Sequence, residues 1–254
     1  MTGFSVDGRA ALVTGATSGL GRHFALMLAR AGARVAIAGR RSERLDDLAG
    51  EIAAGGGRAA PIVMDVTDAA SVRDGLAAAE AALGPLAILV NNAGVAVTKP
   101  LLEHTEADWN LVVDTDLKGA WLVAQETARQ MVRAGQGGSI VNIASMLGEI
   151  AKGGVPSYCA AKAGLVHLTR AMAIELARHK IRVNALCPGY FVSEMTEAFL
   201  AGPDGMAMLG RIPQRRIGGA DELDGALLLL ASDAGAYMTG SIITVDGGHS
   251  LVGA

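Results

Sequence analysis

Short apolar segments alternate with longer helical stretches along this 254-residue chain, and this alternation most restricts its possible folds. Each apolar segment is rich in β-branched residues and has no polar face, which is typical of a strand covered by helices on both sides. The segments are AALVTG (10–15), RVAIAG (34–39), AAPIVMD (59–65), AILVNNAG (87–94), GSIVNIAS (138–145), IRVNALCPG (181–189) and GSIITVDGG (240–248). Helices are predicted near residues 19–31, 42–54, 68–83, 105–134, 157–179 and 220–231.

Repeated strand–helix–strand units require crossover connections and therefore predict a parallel sheet. The fold class is α/β, with a Rossmann-like, doubly wound, seven-stranded sheet that carries helices on both faces. No linker or repeat divides the chain, so we expect a single domain over residues 1–254. Ligands of such sheets bind at the carboxyl ends of the strands, near the point where strand order reverses.

Composition argues against several classes of partner. The formal net charge is −3 without a basic stripe, which does not favour nucleic acid or an anionic membrane. The longest apolar runs, such as residues 225–231, are far shorter than the roughly 20 residues that span a bilayer. The N-terminal residues do not resemble an export signal, so a cytoplasmic location is expected. The histidines show no ligand spacing, and no metal site is predicted.

A glycine-rich turn follows the first predicted strand. The turn TGATSGLG spans residues 14–21 and leads directly into an amphipathic helix. Its glycines let the backbone approach a pyrophosphate, which the helix N-terminus would stabilise. The spacing differs from the common G-x-G-x-x-G pattern, so the prediction depends on the strand–turn–helix context. This turn predicts a dinucleotide site.

Two arginines follow the second predicted strand. An acidic residue there would accept the 2′-hydroxyl of NAD ribose, but this chain has Gly39 followed by Arg40 and Arg41. A guanidinium favours a 2′-phosphate through charge-assisted hydrogen bonds, so NADP is the predicted cofactor and NAD the alternative. The other interpretation is that both arginines only cover the next helix.

A tyrosine and a lysine lie four residues apart at the start of the fifth predicted helix. Tyr158 and Lys162 therefore share one face of that helix. Ser145 ends the preceding strand, so its hydroxyl and the phenol are expected to face the same crevice. The serine would hold a substrate oxygen while the tyrosine exchanges its proton.

The motifs together resemble the short-chain dehydrogenase/reductase family over nearly the whole chain. They are the loop 14–21, MDVTD at 64–68, NNAG at 91–94, Ser145, the pair Tyr158 and Lys162, CPG at 187–189 and VDGG at 245–248. The resemblance implies a nicotinamide-dependent oxidoreductase that acts on a ketone or secondary alcohol.

The resemblance also assigns roles to residues. Tyr158 is the implied acid/base, Ser145 orients the substrate, and Lys162 holds the nicotinamide ribose and lowers the tyrosine pKa. Bringing that pKa from about 10 to about 7 requires roughly 4 kcal/mol of differential stabilisation of the phenolate, which Lys162 and an oxidised nicotinamide would supply together. The residues expected to contact the cofactor are Gly15, Thr17, Ser18, Gly19, Leu20, Gly21, Arg40, Arg41, Asp65, Val66, Asn92, Ala93, Gly94, Tyr158, Lys162, Pro188, Gly189, Val192 and Ser193.

Two positions depart from the family pattern. Asp116 stands where the family usually has an asparagine that links the lysine to solvent, and its charge would offset part of the field of Lys162. Asp116 is protonated, or the turn is hydrated differently, or protons take another route; alternatively, main-chain groups do the work and the side chain matters little. At the second position, Ser193 keeps the hydroxyl of the usual threonine.

Residues 193–218 interrupt the strand–helix rhythm and are predicted to cover the substrate. No basic residue in the sequence obviously awaits an acidic substrate group, so a neutral, partly apolar substrate is expected. The predicted substrate contacts are Ser145, Met146, Leu147, Tyr190, Met195 and Phe199. By resemblance, the long helices form a homotetramer. The alternatives are a non-catalytic nucleotide sensor, or an epimerase or dehydratase of the same superfamily.

Overall fold

A computed structural model describes residues 3–191 and 203–252 of the chain. Its strands are β1 (Ala10–Thr14), β2 (Arg34–Gly39), β3 (Arg58–Val63), β4 (Ile88–Asn91), β5 (Gly138–Ile143), β6 (Ile181–Pro188) and β7 (Ile242–Val245). Its α-helices are α1 (Gly19–Arg30), α2 (Ser42–Ala54), α3 (Ala69–Leu83), α4 (Glu106–Val113), α5 (Ala120–Ala134), α6 (Pro156–Leu176), α7 (Pro203–Leu209), α8 (Asp224–Ala231) and α9 (His249–Val252).

The seven strands form one parallel sheet in the order β3-β2-β1-β4-β5-β6-β7. The predicted doubly wound Rossmann-like fold is confirmed. Strand order reverses between β1 and β4, so the carboxyl ends of these two strands border the expected ligand crevice.

Two hydrophobic layers enclose the sheet, and β1 contributes alternate residues to each. Ala11 and Val13 belong to the layer that includes Phe24 of α1. Ala10 and Leu12 point the other way, into the layer formed with α3 and α5. This explains why the strand segments have no polar face.

One predicted helix is interrupted. The segment 105–134 contains α4 and α5, but a π-helical turn, Asp114–Gly119, separates them. Such turns insert an extra residue into the helical ladder and occur frequently at functional sites. The interruption determines where Asp116 points.

The predicted covering segment, 193–218, is described only in part. Val192, Ser193, Met195 and Phe199 lie outside the described residues. Nearer its end the chain forms α7, and a parallel bridge joins Phe191 to Gly218. That this segment covers the substrate stays a prediction.

Candidate active site

A cavity of about 610 Å³ lies at the carboxyl ends of the strands. Residues predicted for cofactor and catalysis from distant parts of the sequence meet there. They are Gly15, Thr17, Ser18, Gly19, Leu20, Gly21, Arg40, Arg41, Asp65, Val66, Asn92, Ala93, Gly94, Asp116, Ser145, Tyr158, Lys162, Pro188 and Gly189. The walls also include residues that sequence reasoning missed, such as Thr115, Val95 and Phe191.

The glycine loop is shaped by close backbone packing. Gly15 has φ +65°, a conformation that residues with a Cβ rarely adopt. A Cβ on Gly21 would lie 2.3 Å from the Gly15 carbonyl oxygen, so only glycine fits at the start of α1. The loop therefore presents the N-terminus of α1 to the cavity, as an anionic pyrophosphate requires.

Thr14 joins the ends of β1 and β4, a role that sequence reasoning missed. Its hydroxyl oxygen accepts from the backbone N–H of Asn92 (2.9 Å) and of Ala93 (3.0 Å). The Asn92 side-chain amide donates to the Thr14 carbonyl at 3.0 Å. These contacts tie the carboxyl end of β1 to the residues that follow β4, at the point where strand order reverses. The sequence does contain a signal for this role, because Thr14 is a hydroxyl residue at the end of an otherwise apolar strand.

Both predicted arginines lie at the rim of the glycine loop. The Arg41 guanidinium donates to the hydroxyls of Thr17 (2.6 Å) and Ser18 (3.1 Å). Arg40 lies 3.9 Å from the Asp65 carboxylate. The hydrogen bond from the Thr67 backbone, with Arg40 adding to it, holds the Asp65 pKa below its ordinary value despite partial burial. The arginines thus face the cavity as well as bordering α2.

Ser145, Tyr158 and Lys162 meet above the end of β5. The Lys162 ammonium is buried, donates to the Ile143 carbonyl at 3.1 Å and lies 5.4 Å from the centroid of the Tyr158 ring. Ser145 caps a single 3₁₀ turn, where its hydroxyl accepts from the Leu147 backbone N–H. The predicted proximity of phenol and ammonium is present.

Burial and neighbouring charges act in opposite directions on the pKa of Tyr158. Burial of the phenol raises the pKa above its ordinary value. Lys162 lowers it, as predicted, but Asp116 opposes Lys162, and the hydrogen bond with Ser145 does not reverse the balance. The protein's own groups therefore do not make the phenol acidic, because desolvation and a nearby carboxylate outweigh one ammonium.

Asp116 is completely buried and forms an ion pair with Lys162. One of its carboxylate oxygens lies 3.2 Å from the Lys162 nitrogen, and the other accepts from the Val95 backbone N–H at 2.7 Å. Gly94 leaves room for the pair, since a Cβ there would lie 2.8 Å from the carboxylate. The π-helical turn brings this side chain inward.

Burial and charge act oppositely on this ion pair. Burial raises the pKa of Asp116 above its ordinary value, although Lys162 and the Val95 N–H oppose it. Burial lowers the pKa of Lys162, but Asp116 and Tyr158 outweigh it, and the net pKa is raised. Lys162 therefore stays charged at neutral pH.

The predicted substrate residues do not all lie at the cavity. Met146 and Leu147 are buried in the 3₁₀ turn beneath Ser145 and do not line the cavity. Tyr190, just after β6, is half-buried, and its hydroxyl accepts from Lys152 at 2.6 Å. The roles of these three residues stay predictions.

Two further findings concern the described residues. Within 3–191 and 203–252, no helix is both long and apolar enough to cross a membrane. The same residues contain no group of three or more histidine, cysteine or acidic side chains arranged to hold a metal ion.

A glycine loop, a strand-order reversal and a tyrosine beside a buried lysine together define a dinucleotide-binding oxidoreductase of the Rossmann type. A family model described as short chain dehydrogenase matches residues 9–203. The chain belongs to this family, and its chemistry is hydride transfer between a nicotinamide cofactor and a substrate.

Known relatives and structures match over almost the whole chain. Gluconate 5-dehydrogenase of Gluconobacter oxydans (strain 621H) is 42% identical over 98% of this chain and 97% of its own. Cis-4-hydroxycyclohexanecarboxylate dehydrogenase of Sinomonas cyclohexanicum is also 42% identical, over 96% and 97%. A crystal structure of a gluconate 5-dehydrogenase from Burkholderia cenocepacia J2315 with NADP and tartrate superposes with a TM-score of 0.94, at 38% identity over 98% and 97%.

Proposed function

We propose that this enzyme interconverts a secondary alcohol and a ketone, with NADP(H) as cofactor and Tyr158 as the proton donor and acceptor. The observation that carries the proposal is the buried Lys162 ammonium beneath the Tyr158 ring, beside Ser145 and in the same cavity as the glycine loop. A sensor that only bound the nucleotide would not need this arrangement.

The cavity fits a dinucleotide in shape and charge. The glycine loop supplies backbone N–H groups for a pyrophosphate, and Gly94 and Lys162 line the same cavity. Arg40 and Arg41 would hold a 2′-phosphate at the opposite end of the cavity. When bound, the nicotinamide accepts or supplies the hydride.

Tyr158 and Ser145 would handle the substrate oxygen. In oxidation, the Tyr158 phenolate takes the hydroxyl proton of the alcohol; in reduction, the phenol returns a proton to the oxygen of the former carbonyl. The Ser145 hydroxyl donates to the same oxygen and holds it near the phenol. Lys162 stabilises the phenolate by its charge and would donate to the nicotinamide ribose.

The proposal is tested with NADPH or NADH and a panel of ketones. The measurement is the loss of the absorbance of the reduced nicotinamide as the ketone is reduced. The reverse assay uses NADP with cyclic alcohols, alditols and the substrates of the relatives, gluconate and cis-4-hydroxycyclohexanecarboxylate. Turnover of any member supports the proposal. Tight NADPH binding without turnover across the panel would favour the sensor.

The arginine pair provides a prediction about cofactor choice. Replacing Arg40 and Arg41 together with alanine should lower kcat/KM for NADPH by about tenfold to a hundredfold, because charge-assisted hydrogen bonds to the 2′-phosphate are lost. The value for NADH should change by less than about threefold. Steady-state kinetics with both cofactors measure this, and Arg30→Ala, on the last turn of α1, is the control. Equal losses with both cofactors would contradict the role.

Asp116→Asn tests whether the carboxylate affects the phenol. Asp116 raises the pKa of Tyr158, so its removal should lower that pKa. Oxidation needs the phenolate, and its rate should therefore reach half its maximum at a lower pH than in the wild type. The measurement is kcat for oxidation against pH. An unchanged profile would mean that Asp116 is protonated or that only main-chain groups matter here.

Homotetramer formation is also part of the proposal. The outer faces of α5 and α6 carry partly exposed apolar side chains around a cavity of about 450 Å³, including Trp121, Val132 and Met172. Exposed apolar side chains grouped on two neighbouring helices favour contact with another subunit, and Arg129, Arg133 and Glu175 around the same cavity would add polar contacts. Sedimentation velocity would give four chains if the proposal holds, and Trp121→Lys should produce smaller species.

A further inference from the structure

A second group of polar side chains lies beside the catalytic residues. Lys152 donates to the Tyr190 hydroxyl at 2.6 Å, and its ammonium lies 5.2 Å from the centroid of that ring. His249 is also close to Tyr190, and the centroids of the two rings are 5.7 Å apart. These residues come from three separate segments of the chain.

The segments that carry this group also build the active site. Lys152 lies in the loop between Ser145 and Tyr158, and the Cys159 thiol contacts the Lys152 carbonyl at 3.8 Å. Tyr190 directly follows Gly189, which lines the cavity. Lys152 and Tyr190 do not themselves line the cavity, but their segments border it at Ser145, Tyr158, Gly189 and Phe191.

His249 gives independent evidence for a ligand. It is 2% exposed, and within the described part of the chain neither ring nitrogen has a hydrogen-bond partner. Buried polar groups without partners are rare, because each one costs its desolvation free energy. A ligand group that both donates and accepts, such as a hydroxyl, would satisfy the ring.

Among the described residues, one carboxylate and two cations act on the pKa of His249. Burial lowers its pKa; Asp246 opposes this, while Lys152 and Arg211 lower the pKa further. The imidazole is therefore neutral and offers one donor and one acceptor. The Asp246 carboxylate accepts from the backbone N–H groups of Gly248 (2.8 Å) and Ser250 (2.7 Å), which reduces its effect on an incoming anion.

We infer that Lys152 and Tyr190 form a carboxylate-binding subsite, with His249 beside it for a hydroxyl, and that the substrate is a hydroxy acid. This inference rests on the proposed function and specifies its substrate class. It differs from the expectation of a neutral substrate. That expectation rested on the sequence, in which no basic residue obviously awaits an acidic group, because the sequence does not show that Lys152 lies next to Tyr190. A fixed ammonium and a phenol favour a carboxylate over a neutral hydroxymethyl group.

The test compares acids with neutral alcohols of the same chain length, threonate with threitol and gluconate with glucitol. In the wild type with NADP, the preferred acid should have a kcat/KM at least about tenfold above that of its alditol. Lys152→Met should lower kcat/KM for the acid by about tenfold to a hundredfold, mainly through KM, and change the alditol value by less than about twofold. Lys152→Arg keeps the charge and should recover most of the activity with the acid.

Two controls separate this inference from the general function. Lys180→Met removes an exposed lysine just before the amino end of β6, at the end of the sheet opposite the cavity, and should not change the kinetics with either acids or alditols. Calorimetric titration of each acid into the NADP-bound protein should show binding that Lys152→Met weakens by at least about tenfold. Equal or better turnover of the alditols overturns the inference while the proposed function stands. If the titration shows no binding of the acids, the carboxylate subsite is overturned, whether or not the enzyme oxidises any alcohol.

Discussion

Replacing Tyr158 with phenylalanine is expected to reduce kcat by about a thousandfold while the affinity for NADPH stays within about twofold of the wild type. The substitution removes the hydroxyl and keeps the ring that packs near the buried Lys162 ammonium. Stopped-flow or steady-state assays measure the rate, and fluorescence titration measures NADPH binding.

The matched control for this variant is Tyr237→Phe. Tyr237 is fully exposed on the surface, so the loss of its hydroxyl should leave kcat unchanged. A Tyr158→Phe enzyme with more than about a tenth of wild-type activity would remove the central catalytic assignment. A variant that had lost NADPH binding would instead show that the phenol is mainly a cofactor contact.

Replacing Lys162 with methionine is expected to abolish activity and also to destabilise the fold by about 3 kcal/mol or more. The reason is the buried ion pair: the side chain of Asp116 is 0% exposed, and without the ammonium its carboxylate has lost its compensating charge. Chemical denaturation at neutral pH measures the free energy of unfolding.

The double variant Lys162→Met/Asp116→Asn distinguishes charge from packing. It removes both charges, so it should recover most of the lost stability but none of the activity, because the cation near the phenol is still missing. If the double variant were as unstable as Lys162→Met alone, the loss would come from packing of the lysine stem, and the ion pair would have no special importance.

The fold could be predicted from the sequence because its signals are local and repeated. Residues Ala10 to Thr14 are apolar at every position, and the structure buries alternate ones on opposite faces of the sheet. The glycine loop could be placed for the same reason, since a strand, a turn and a helix follow each other directly. One helix prediction was incomplete, because the π-helical turn at Asp114–Gly119 leaves no clear trace in hydrophobic periodicity.

Proximity of side chains in the candidate site could be predicted where spacing along one helix determines it, as for Tyr158 and Lys162. Thr14 was missed because its partners, Asn92 and Ala93, lie on another strand. The hydrogen bond between Lys152 and Tyr190 could not be predicted for a similar reason, since the two residues are 38 positions apart in the sequence. Contacts of this kind depend on strand order, which a single sequence does not display.

The sequence by itself determined the parallel sheet, the glycine-rich turn between β1 and α1, and the presence of a phenol beside an ammonium, because each depends on neighbouring residues. Only the tertiary structure decided the electrostatics of the site. Burial and the inward-facing Asp116 carboxylate raise the pKa of Tyr158 against the pull of Lys162. A pKa depends on desolvation and on every charge nearby, and these become known only when the chain is folded.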